Sequence, residues 1–132
     1  MESGLAFGPI RAAAVRFTDT ARSLNEKIKD ASERGTLAAD KLAALNQALM
    51  RVERCFLLEP GLPGRTWFRH AFYAPGVYTG YAVVVMPSVR EALERNDAQA
   101  AAERLEQVRA AIERGTQALN QALAAAGAGG AP

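Results

Sequence analysis

The sequence predicts an all-α helical bundle: three long helices and one short one, with an ordered aromatic-rich irregular segment between the second and third. Three observations predict it. Apolar residues recur at helical spacing toward both ends of the chain. One cluster of proline and glycine interrupts that spacing. Just after it, six of the nine aromatic residues fall within the 15 positions from Trp67 to Tyr81.

The first helix is expected from Pro9, a favoured first helical position, to Arg34, with Gly35 closing it. Ile10, Ala14, Phe17, Ala21, Leu24, Ile28 and Ala31 alternate steps of four and three, the seam of an antiparallel bundle. Thr36 is the expected N-cap of a second helix that runs to Phe56. Its seam is Leu42, Leu45, Leu49, Val52 and Phe56, widened by Leu37, Ala38 and Ala48. A tight link between the two helices predicts that they pack antiparallel.

Glu59-Pro60-Gly61-Leu62-Pro63-Gly64 then reads as turns. From Arg65 to Met86 the chain is expected to be irregular and pinned to the helices by its aromatics, so that Trp67→Ala or Tyr73→Ala would unfold it. Tyr81 to Val85 has strand character but no evident partner. Ser88 and Glu91 match a capping box for a short helix to Arg95. Asn96 or Asp97 should cap a last long helix to Ala126, burying Ala98, Ala101, Leu105, Val108, Ile112, Leu119 and Leu123. Gly115 inside it should cost about 1 kcal/mol against alanine. The domain is expected over 1–126, with 127–132 as a disordered tail.

Composition excludes several function classes. The 132 residues carry 16 basic and 14 acidic side chains, interspersed, and no basic stripe supports nucleic-acid binding. No apolar run approaches the roughly 20 residues of a membrane span. The N-terminus lacks the basic start and apolar core of a signal peptide. Cys55 and His70 are each the sole residue of their type, too few for a zinc site. Cys55, between Val52 and Phe56, reads as a small buried hydrophobe rather than a nucleophile. His70 reads as a hydrogen-bonded structural residue. No catalytic or metal-ligating residue is assigned.

The run from Glu53 to Tyr81 resembles a known family. Glu53-Arg54-Cys55-Phe56, Gly61-Leu62-Pro63-Gly64-Arg65, Phe68-Arg69-His70, Tyr73-Ala74-Pro75 and Gly80-Tyr81-Ala82 follow in order. They are similar to the helical dimerisation domain, C-terminal to a zinc-peptidase-like domain, of the transferrin receptor and glutamate carboxypeptidase family. The flanking helices align more weakly, and the resemblance covers nearly the whole chain.

The resemblance implies a homodimerisation domain that packs beside the peptidase-like domain of its parent and is non-catalytic in isolation. Arg54, Arg65, Arg69, His70, Tyr73 and Pro75 are its structural motif residues here. Phe17, Leu24, Leu45 and Leu49 are expected either in the core or in the dimer contact. Tyr81 matches a tyrosine at the family's substrate-pocket rim, whereas Gly80 stands where the family has lysine. Zinc is expected only in the peptidase domain, and the chain is expected to be a fragment that starts after one of the family's helices. An extracellular or periplasmic parent is implied, with no signal in this segment. Two other readings remain open: an accessory substrate-pocket domain of a zinc carboxypeptidase or aminopeptidase, and a freestanding helical adaptor.

Overall fold

The structure, a computed structural model, describes residues 4–78 and 80–127. Four helices and one small hairpin make up the fold: α1 (Gly8–Glu33), α2 (Ala39–Arg54), β1 (Tyr73–Pro75), β2 (Val83–Val85), α3 (Pro87–Glu94) and α4 (Ala98–Gly127). The fold is predominantly helical, as expected. The expected tail falls partly inside α4, which includes Gly127, and otherwise lies outside the described residues.

The last helix is the spine. α1, α2 and α3 all pack on α4. α1 runs parallel to it: Arg16 reaches Glu113, Phe17 lies over Gly115, and Lys27 approaches Gly127. α2 runs antiparallel to it, with Cys55 just beyond its end beside Arg114. The expected antiparallel sense of α1 and α2 therefore holds, but each packs chiefly on α4 rather than on the other. The two helices are neighbours in sequence, but α4 lies along both and takes their apolar faces.

Two clusters fill the interior. Ala13, Ala71, Val89, Leu105, Val108, Ala111 and Ile112 form one; Leu24, Leu45, Ala48, Val52, Ala118, Leu119 and Ala122 form the other. Phe17 and Phe56 belong to both, with their rings 5.7 Å apart edge to face. They meet above Gly115, where an added Cβ would lie 3.0 Å from Phe17 and 3.2 Å from Phe56. The helix-propensity cost of that glycine thus allows two aromatic rings to approach the α4 backbone.

Several expected details are corrected. Ala14 and Leu42 face solvent, and Ala13 takes the buried place on α1, because a straight helix at 3.6 residues per turn drifts off a 3.5-residue seam. Thr36 does not start α2. Its amide and hydroxyl both bond to the Ala31 carbonyl, at 2.9 and 3.2 Å, and so complete the end of α1 beside left-handed Gly35. Asp97 does cap α4, accepting the Ala100 amide at 2.9 Å, while Ala98 at the helix start is exposed.

The Ser88–Glu91 capping box does not form. The chain turns into α3 through left-handed Met86, and the Ser88 hydroxyl is buried without a partner. Val83–Val85 does find a partner strand, pairing antiparallel with Tyr73–Pro75 in the register Tyr73↔Val85, Ala74↔Val84 and Pro75↔Val83. The partner, three residues long, does not stand out in the sequence.

Phe56 and Trp67 should consequently differ in weight. Trp67 is 69% exposed and Tyr73 59%, so neither is a pinning residue. Phe56→Ala is expected to lower stability by about 3 kcal/mol, and Trp67→Ala to stay within about 0.5 kcal/mol of wild type. Urea unfolding of the two variants measures both.

Candidate functional site

Between α2 and β1 the chain doubles back on itself. Ala71 N donates to Phe56 O at 2.8 Å, Leu58 N to Arg69 O at 2.8 Å and Leu62 N to Phe68 O at 2.9 Å. The irregular segment is thus a self-paired loop. Gly61 is required at its turn: at φ +61°, a Cβ would lie 2.3 Å from the Thr66 carbonyl oxygen.

Arg65 anchors this loop to the rest. Its Nη1 donates to Pro75 O at 2.7 Å and its Nη2 pairs with the carboxylate of Glu91, whose side chain is only 6% exposed. The guanidinium also lies over the Phe68 ring at 5.5 Å. One side chain therefore joins the loop, β1 and α3. Arg69 holds the loop across its base, donating to Leu58 O at 3.3 Å and to Glu59 Oε1 at 2.6 Å. His70 Nδ1 accepts the Phe72 amide at 3.1 Å, which leaves its proton on Nε2, and the ring stacks on Tyr73 at 5.6 Å.

Held in this way, the hairpin turns Ala74 and Val84 inward and Tyr73, Val83 and Val85 outward. Tyr81 follows Gly80 in the hairpin loop and is fully exposed. The structure thus brings Arg65, Arg69, His70, Tyr73 and Pro75 together around the hairpin and its supporting loop. Arg54 is set apart, in a groove beside α2. Phe17, Leu24, Leu45 and Leu49 all lie against the second interior cluster, and α4 covers them.

Sequence reasoning missed Glu91 as the partner of Arg65. The only available signal was its capping-box spacing, which pointed to a different role. The outward alternation of Val83 and Val85 was also missed, within a run too short to show a period. Among the described residues, no three His, Cys, Asp or Glu side chains come together as a metal site, and no helix is long and apolar enough to cross a membrane.

The class of protein is thus a small helical domain that presents an anchored apolar hairpin. The chain belongs to the transferrin receptor-like dimerisation domain family, whose model matches residues 5–120. It is 31% identical over 111 residues to an inactive zinc metalloprotease of Schizosaccharomyces pombe, covering 82% of this chain and 14% of that protein. A probable glutamate carboxypeptidase of Arabidopsis thaliana is 30% identical over 125 residues, 90% of this chain and 18% of that protein. One from Arthroderma benhamiae is 40% identical over 68 residues, 52% of this chain and 9% of that protein. The chain thus spans less than a fifth of the length of these relatives.

The Arg65–Glu91 pair should carry the hairpin. Removing one partner strands a buried charge, so Glu91→Ala is expected to cost about 3 kcal/mol. Backbone amides of β1 and β2 should then exchange with deuterium far faster than those of α4 in the same variant. Unchanged exchange in the hairpin would show that the pair does not hold it.

Proposed function

We propose that this chain is the homodimerisation domain of a zinc-peptidase-like protein and is itself non-catalytic, with zinc and the peptidase chemistry belonging to the parent's peptidase domain. Its contact with a second copy runs along the outer face of α1. The observation that supports this most is the self-complementary pattern on that face. Val15 is 55% exposed, opposite the side that meets α4, in a shallow groove of about 350 Å³ lined by Arg11, Ala14, Val15, Thr18, Asp19 and Arg22.

A two-fold contact uses one patch twice. If two copies of α1 cross antiparallel about Val15, that residue meets its own copy. Arg11, four residues before it, faces Asp19, four residues after it, and the charge pair occurs twice. Small Ala14 allows the helices to approach. Family membership supports the same reading. The seams that could have served instead are already covered by α4.

A second reading, compatible with the first in a longer protein, is that the hairpin rests on the peptidase-like domain at its substrate pocket. The outward Tyr73, Val83 and Val85 and the projecting Tyr81 favour it. Gly80 in place of a lysine argues against recognition of a substrate carboxylate at that point.

Light scattering at about 100 μM, where micromolar contacts are near saturation, should give the mass of a dimer. Val15→Lys should give a monomer with unchanged helical circular dichroism, and Val83→Lys on the hairpin should leave the dimer mass unchanged. Asp19→Lys should weaken the dimer, and adding Arg11→Glu should restore it. A monomeric wild-type chain would overturn the proposal.

A further inference from the structure

At the opposite end of α2 from its link to α1, an open groove of about 620 Å³ lies between the end of that helix and α4. That is the size of a cleft able to hold several side chains. Arg51 and Arg54 enter it from α2, and Arg114 from α4. Leu57, Leu58, Pro60 and Ala110 supply an apolar floor, and Cys55 lies between the two sets.

The three guanidiniums line one groove without an acidic partner. Among the described residues, none of them has a carboxylate within ion-pair distance. Glu59, the acidic residue at the rim, is engaged by Arg69. By contrast, Arg109 on α4 is saturated by Glu106 and Glu113, and the hydrogen bond from Arg109 holds the Glu106 carboxyl below its ordinary range.

Two arginines in the last turn of α2 offset the negative end of the helix dipole, which accounts for their charge. It does not account for Arg114, which comes from another helix and donates to the Cys55 carbonyl at 3.2 Å. That bond fixes one guanidinium in the groove that the other two also line.

We propose that this groove docks an acidic polypeptide segment of a partner, its carboxylates on Arg51, Arg54 and Arg114 and its apolar side chains on Leu57, Pro60 and Ala110. Planar guanidiniums bind carboxylates through paired hydrogen bonds, and none of these three has its donors taken up by a carboxylate. The apolar floor selects a peptide with both acidic and aliphatic residues over a bare anion. The site lies on α2 and α4, apart from the outer face of α1, and stands or falls independently of dimerisation.

The test is fluorescence anisotropy of the 132-residue chain with a fluorescein-labelled Glu-Leu-Glu-Glu-Leu-Glu peptide, in low salt. Saturable binding is expected, together with none for the matching lysine peptide. The Arg51→Ala/Arg114→Ala variant should bind at least tenfold more weakly. A Lys29→Ala/Arg95→Ala control, which loses the same charge elsewhere, should bind within twofold of wild type. As a second measure, saturating peptide should slow alkylation of Cys55, the sole cysteine, severalfold. The proposal is overturned if the peptide does not bind, if both double variants weaken it equally, if Cys55 alkylation is unaffected, or if a single-stranded oligonucleotide binds more tightly than the peptide.

Discussion

The contact between Phe17 and Phe56 above Gly115 is the constraint on which the rest of the domain depends. α1 and α2 meet α4 from opposite chain directions, and the two rings are where their interior clusters join. A side chain at 115 would occupy the space the rings need. Phe56 also extends the contact outward, lying 5.3 Å from Phe72 and 6.2 Å from His70. The order of the irregular loop therefore derives from the same place as the order of the helices. Loss of ring packing there removes the apolar support of both at once.

Arg65 does in polar terms what Phe56 does in apolar ones. Two three-residue strands are too short to be stable alone. This hairpin persists because Ala74 and Val84 pack inward and because the Arg65 guanidinium binds the Pro75 carbonyl and the Glu91 carboxylate together. Burial makes that pair costly to break from one side and gives it little tolerance for rearrangement. With its inner face and its anchor fixed, the hairpin leaves Tyr73, Val83 and Val85 uncovered, a set of apolar side chains that the fold itself does not use.

The helices were legible because their signals are local. Pro9, Gly35 and Asp97 mark boundaries through backbone geometry and capping, and the positions of Leu24, Leu45, Leu105 and Leu119 follow from helical spacing. What failed was non-local. Thr36 has the chemistry of a helix start, but its hydroxyl had a nearer acceptor in Ala31. Glu91 has capping-box spacing, but Arg65, 26 residues earlier, offered a stronger partner. Trp67 and Tyr73 looked like core residues because aromatics usually are, yet the loop turns them outward. Among the motif residues, Arg65 and Arg69 could be picked out from the family pattern. Their partners could be found only once the loop was folded. The groove arginines are 63 positions apart at their extremes, and although Arg54 belongs to the family motif, nothing in the sequence joined it to Arg51 and Arg114.

The use of α1 and α2 as donors of apolar surface to α4 also determines what remains for partners. A residue such as Leu24, 2% exposed, cannot serve a second chain without leaving the core. Any outside contact must draw on side chains that folding does not consume: the outer face of α1, the outer face of the hairpin, or the groove at the end of α2. These three surfaces sit on different elements and share no residue. Contacts more than about 7–10 Å apart with no common partner contribute nearly additively. A substitution on one of these surfaces therefore leaves the fold and the other two surfaces intact.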